Sequence, residues 1–411
     1  MQTRTLLTTF AVTAVATAGL AQDEQLKSTD HKKVGKEVAD YWTAKEETKD
    51  IAKTFQKLAE TVDKIDERFK KDGSSVYASV ADWEAIFWTA TEVSLEDKSL
   101  KKGKVTEEAS PVTTFTYWVD RRYKSTSGPF PIVIVVPDVG ETPAAVATEL
   151  SATPLGAEAL VAVVHMDQLP GESSEKDWST DEAAFQVLKT YSAVAKSNMF
   201  GLDCNRVLAV GRGKGFAAAA AAARRYPHFF AGLAGWGEIP NADATNFANL
   251  PSFVTGGGES AAFSKHVSEL GYGNCTVGEE TTDALWAWIR GTKRLSYPHE
   301  ITFAPVSATA RGTYWLLVDG VDLPGSPRVH AQADPEKNEI LITAKGISTV
   351  QLMLNDELVN LAKPVKVTLN GISHEELLPR NPRWMIDQAY NAGDWGRVFC
   401  ATASFEVIES E

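Results

Sequence analysis

The sequence predicts an α/β fold: a mostly parallel sheet with flanking helices, preceded by a helical segment and followed by a small β-rich module. Three patterns predict it. Between about residues 112 and 295, short apolar runs alternate with helical stretches, the order that builds a parallel sheet. Ahead of them, residues 32–72 are charged, free of proline and apolar at alternating three- and four-residue spacing. Beyond Pro298 the runs are short and β-branched, with Asp319-Gly320 and Asn370-Gly371 as turn signals between them. The chain divides accordingly at 1–21, 22–98, 99–298 and 299–411.

Residues 1–21 read as a signal peptide. Arg4 supplies the positive start, 6–20 the apolar stretch, and Gly19-Leu20-Ala21 the small residues of a cleavage site. The mature chain is then exported, periplasmic or extracellular. No later stretch reaches 18 uncharged apolar residues, so no membrane span is expected. With 41 Lys and Arg against 54 Asp and Glu in 411 residues, the net charge is -13, which argues against nucleic acid as a partner. Cys204, Cys275 and Cys400 can close at most one disulfide.

The helical segment carries a heptad seam through Val34, Tyr41, Ala44, Ile51, Phe55, Leu58, Val62, Ile65 and Phe69, ending at Asp72-Gly73. A second helix follows, with Val76, Val80, Trp83, Ile86 and Phe87 on one face. Two readings stand. The helices form a hairpin packed on the rest of the chain, or the first is a coiled-coil-like rod of roughly 50 Å at 1.5 Å per residue. The rod would serve a protein partner or self-association into a homo-oligomer.

In the α/β part, 130–137 (FPIVIVVP), 160–165, 206–210 and 252–255 read as strands buried on both faces. Helices are expected at 144–150, 181–196, 216–226 and 261–270. In the last part, strands are expected at 301–306, 313–318, 339–344, 349–354, 365–369 and 398–407, with no further helix.

The stretch 203–232, DCNRVLAVGRGKGFAAAAAAARRYPHFFAG, carries the most information. A strand runs into Gly211-Arg212-Gly213-Lys214-Gly215 and then into a helix of small residues, the shape of a nucleophile elbow. With its D-x-x-R-V entry and R-Y-P-x-x-F-A-G exit, the chain resembles the α/β-hydrolase superfamily, especially secreted esterases, depolymerases and prolyl-oligopeptidase-like members. The resemblance covers about residues 115–295. It implies a nucleophile at the middle of the elbow, an acid after a later Leu-Pro strand, and a histidine just before the final helix. Here the nucleophile position is Gly213, the acid loop reads Gly256-Gly257-Gly258-Glu259-Ser260, and 275–280 contains no histidine. Glu259 is the one carboxylate in its loop. Nucleophile and base act as a unit, so losing both removes acyl transfer. The reading is a degenerate member, a pseudoenzyme kept for binding, scaffolding or assembly. The alternatives are a hydrolase with a relocated nucleophile, with Ser252, Thr255 and Ser260 as candidate hydroxyls, and a carbohydrate- or polymer-binding protein using the ancestral cleft.

The glycine-rich turn is neither a Walker loop, since Gly215 follows Lys214, nor a dinucleotide fingerprint, since Phe216 replaces the third glycine. No cofactor is expected, and the seven scattered histidines give no metal-ligand spacing. Arg212 and Lys214 stand at a helix N-terminus, where a carboxylate, sulfate or phosphate would be favoured, so an anionic ligand is expected there. The eleven tryptophans leave a glycan ligand on the β module as a further expectation.

Overall fold

The computed structural model describes residues 25–69, 75–95, 100–124, 129–169, 178–197, 199–236, 244–255, 258–279 and 281–408. The expected signal peptide and the Asp72-Gly73 stop lie outside them.

The central sheet has eight strands in the order β1-β2-β4-β3-β5-β6-β7-β8. These are β1 (Thr106–Ala109), β2 (Thr114–Trp118), β3 (Phe130–Val136), β4 (Leu160–Val164), β5 (Leu202–Arg212), β6 (Gly232–Trp236), β7 (Ser252–Thr255) and β8 (Cys275–Gly278). From β4 to β8 every pairing is parallel, and β1 and β2 add antiparallel at one edge. β3 and β4 are buried along almost their whole length, as strands covered on both faces must be. Helices α4 (Pro143–Ser151), α5 (Pro154–Glu158), α6 (Asp181–Ala195), α7 (Gly215–Arg225), α8 (Gly258–Glu269) and α9 (Thr282–Gly291) flank the sheet. The two faces form separate apolar clusters, one around Phe216 and the α7 alanines, the other around Val133, Leu208 and Trp286. This is an α/β-hydrolase-like domain.

The sequence reading missed β1, β2, β6 and β8. β6 reads Gly-Leu-Ala-Gly-Trp, without a β-branched residue. Its smallness is steric, because a Cβ on Gly235 would enter the Phe216 ring and the Gly211 carbonyl. β8 is a short edge strand with exposed residues at its centre.

The long rod expected over 32–72 is broken. Helix α1 (Ser28–Glu46) is followed by Thr48 and Asp50 with φ of 54° and 52°, and α2 (Ile51–Asp66) starts there. Left-handed residues cannot continue a right-handed helix, so the chain folds back. Helix α3 (Val80–Ser94) completes the segment. The buried seam residues Val34, Tyr41, Leu58, Val62 and Ile65 lie in one apolar cluster with Ile301, Trp315 and Phe399. Helices and β module therefore share a core. Asp82 fixes the entry: its buried carboxylate accepts from Leu26 N and Gln25 N at 3.0 Å each and pairs with His31 Nε2 at 2.7 Å. Burial works to raise its pKa, and these bonds together with Ser79 hold it below the ordinary value.

The β module comprises β9 (Glu300–Phe303), β10 (Gly312–Thr313), β11 (Leu316–Asp319), β12 (Arg328–Asp334), β13 (Glu339–Lys345), β14 (Thr349–Leu354), β15 (Val365–Leu369), β16 (Ile372–Glu376) and β17 (Ala401–Glu406). They form one sheet of four strands, β10-β11-β14-β17, and one of five, β16-β15-β13-β12-β9. One expectation fails here, because helix α10 (Pro382–Ala392) interrupts the strands. Its signals were legible: Asn381 caps Trp384 N, Pro382 is the first helical residue, and Gly393 ends it at φ 62°. The three cysteines are free thiols.

Candidate functional site

The elbow is built as the sequence implied. Strand β5 ends at Arg212, Gly213 turns at φ 49°, and α7 starts at Gly215. A Cβ on Gly211 would strike the backbone of Phe216, and one on Gly215 the carbonyls of Val136 and Pro137. Those two glycines serve the close approach of strand and helix. In the entry motif, Arg206 Nε donates to Asp203 Oδ2 at 2.7 Å.

Gly213 differs from its neighbours in what surrounds it. A Cβ there would fall into the carboxylate of Asp138. Asp138 follows β3, the strand beside β5, with Val136 in register with Gly211. Its Oδ1 accepts from Lys214 N at 2.9 Å and from Val139 N at 2.8 Å. In an active elbow the N–H after the nucleophile and an N–H from the loop after β3 form the oxyanion hole. Here both donors point at one side-chain oxygen of the chain itself. The N-terminus of α7 adds its positive end to the same carboxylate.

A strap holds Asp138 in place. Glu141 Oε2 accepts from Asp138 N at 2.8 Å, while Glu141 Oε1 takes Arg212 Nη2 at 2.6 Å. The same guanidinium reaches Glu149 at 3.0 and 3.1 Å. Burial works against the charge on Arg212, and the pairing with Glu149 and Glu141 outweighs it, raising its pKa. Of the two basic residues expected to hold an anion, Arg212 is thus engaged by two carboxylates. Lys214 contributes its backbone N–H, and its exposed side chain has no ion pair among the described residues. A carboxylate does occupy this helix N-terminus, and it belongs to Asp138. The sequence reading passed over Asp138, although a Pro-Asp pair closing the strand beside the elbow was available as a signal.

The other expected parts do not assemble. Glu259 lies in the first turn of α8, with its side chain outside the described ones, as is that of Ser260. Of the relocated hydroxyls, Ser252 starts β7 at the end of the sheet away from the elbow, and its Oγ donates to Leu250 O at 3.4 Å. Thr255 is buried at the other end of β7, in register with Trp236, which pairs in turn with Arg212, about 10 Å and two strands away. His266 lies in α8, and His299 follows α9. His165, after β4 at the elbow end of the sheet, pairs its Nε2 with Thr116 Oγ1 at 2.9 Å. Among the described residues no group of three or more His, Cys, Asp or Glu could hold a metal ion, and no helix is long and apolar enough to cross a membrane.

No family model and no curated protein matches the chain. Among solved structures it is similar to a thermostable esterase, at 15% identity and a TM-score of 0.38, over 46% of this chain and 63% of that one. The chain thus spans less than two thirds of that esterase. It is similar also to a dienelactone hydrolase-like promiscuous phosphotriesterase from metagenomic libraries, at 17% identity and a TM-score of 0.31, over 43% of this chain and 81% of that one. A ferulic acid esterase matches at 12% identity and a TM-score of 0.31, over 46% and 95%. The strand order and the elbow carry the fold assignment.

Proposed function

We propose that this chain is an exported, non-catalytic protein on a hydrolase-like fold, acting in binding, scaffolding or assembly. One observation supports this reading above the rest: the Asp138 carboxylate takes both oxyanion-hole donors and fills the space above Gly213. A substrate carbonyl would have to displace an ionised acceptor tethered within the same chain, against charge-assisted hydrogen bonds. A tetrahedral oxyanion formed there would stand beside a like charge. Catalysis needs donors aimed at charge that develops in the transition state, and these donors already hold a permanent one. The export part of the reading rests on residues 1–21. A protein partner or a second copy would meet the outward polar face of α1 and α2, because their apolar seam is buried against the β module.

The test is incubation of mature protein with a fluorophosphonate probe and a panel of short-chain esters. No labelling above a heat-denatured control and no turnover are expected. Stoichiometric labelling of one serine with ester turnover would overturn the proposal and restore the relocated-nucleophile reading.

A further inference from the structure

A cavity of about 900 Å³ lies between the helical segment, the N-terminal end of the central sheet and α10. It is remote from the elbow, since β5 contributes Leu202, Cys204 and Val207 from its opposite half. Four helices end on it. Its walls include Ala39 to Glu46 of α1, Thr91 to Leu95 closing α3, Ala195 to Ser197 closing α6, and Ala389 to Gly393 closing α10. A helix C-terminus carries roughly half a negative charge, and here following backbone N–H groups take some of the last carbonyls, those of Thr43, Ala44 and Lys45 among them. Four such ends at one space each contribute a negative term to its potential.

The side chains agree in sign. Asp40 and Glu46 are exposed on the α1 wall, and among the described residues Lys196 is the lining cation. Among the described residues Asp40 has only a long contact to Lys57, 3.9 Å, and Glu46 accepts from Tyr390 Oη at 3.3 Å. Behind the floor, Arg294 and Arg397 are both engaged with Asp394, at 2.7 and 3.0 Å. The remaining wall is aromatic: Trp42, Tyr390 and Trp395 are half-buried, and Tyr191 and Phe200 form the floor. The Tyr191 hydroxyl is buried without a hydrogen-bond partner, and its charged neighbours are Asp394, which also lines the cavity, and Arg294 and Arg397. The chain itself places a cation against this wall, with Lys45 Nζ 4.9 Å from the Tyr390 ring centroid.

An anion would meet helix C-termini and the carboxylates of Asp40 and Glu46, and a neutral apolar ligand would bring those carboxylates no counter-charge. A cation with an apolar shell satisfies both, with its charge toward the helix ends and its methyl groups on the aromatic faces. We propose that this cleft is a binding site for an organic cation of the quaternary ammonium class. The proposal is independent of what the elbow does.

The probe is choline, titrated into the full mature chain and followed by calorimetry and tryptophan fluorescence. Its neutral isostere, 3,3-dimethylbutan-1-ol, is the comparison. Choline is expected to saturate, and the neutral isostere to bind at least about tenfold more weakly. Trp395→Ala should weaken choline about tenfold, and Trp395→Phe should restore most of that. Because Trp395 also packs on Trp88, the exposed pair Asp40→Asn with Glu46→Gln provides a variant that leaves the core intact and should weaken choline several-fold. Absence of saturable choline binding, equal binding of the neutral isostere, or unchanged affinity in the carboxylate pair would each overturn the site.

Discussion

At its C-terminal end, β5 runs into a turn whose donors are taken up by Asp138, whereas its N-terminal end contributes Leu202 and Cys204 to an open cavity of about 900 Å³. In a working hydrolase the chemistry sits at the first of these ends. Here Asp138, Glu141 and Arg212 each have an internal partner: Asp138 on Lys214 N, Glu141 on Asp138 N and Arg212, Arg212 also on Glu149. At the second end, four helix C-termini, the carboxylates of Asp40 and Glu46 and the aromatic side chains of Trp42, Tyr390 and Trp395 line a space large enough for a small molecule. A fold can retain its catalytic frame while the groups that seek a ligand lie elsewhere.

The largest effect that sharpens this contrast is expected at the floor of the open end. Arg294 and Asp394 form a bidentate pair at 2.7 and 2.8 Å, each side chain 1% exposed, and Arg397 joins it at 3.0 Å. Asp394→Asn would leave two buried guanidinium groups without a counter-charge, a loss of about 3–5 kcal/mol. Urea unfolding measures it, and a loss under about 1 kcal/mol would mean that the cavity floor is not held by this network.

Next comes the sealed end. Gly213→Ser places a side chain at φ 49° and into the Asp138 carboxylate, so it should cost about 1–3 kcal/mol and gain no esterase activity. Measured ester turnover in this variant would break the comparison, because it would show that the strap opens on demand.

The smallest effect is a pH dependence beside the floor. Burial pushes Glu84 up to about 7, against the pull of Arg294 and the Tyr297 hydroxyl. From its ordinary 4.5 up to about 7 the folded chain then holds a proton that the unfolded chain has shed. Stability therefore falls as pH rises through that window and levels off above it. Glu84→Gln should flatten the slope and raise stability at pH 8 by about 1–2 kcal/mol, read from urea midpoints at pH 5 and pH 8. An unchanged slope would assign the dependence to another group.

Much of the frame was legible because it follows local rules. Strands β3, β4 and β7 coincide with continuous apolar runs, and helices α6 and α7 lie within a residue or two of the periodic stretches that announce them. The elbow could be read from glycine spacing alone. Strand β6 could not, since Gly235 makes room for the Phe216 ring of α7 and Gly232 for Trp288 of α9, and no property of the segment itself signals those partners. Helix α10 could have been read from Asn381-Pro382 and Gly393, and the expectation of a purely β module hid it. Asp138 was harder: it stands 76 positions from the N–H it accepts.

By itself the sequence determined the α/β alternation, the elbow and the absence of serine at Gly213 and of histidine from 275–280, because periodicity, turn chemistry and residue identity are local. Only the tertiary structure decided three further matters: that the Asp138 carboxylate takes the N–H donors at the elbow, that the heptad seam turns inward onto the β module, and that four helices end on one cleft. Each depends on strand register and on packing between residues far apart in the chain, where a side chain's partner is set by the geometry of the assembled core.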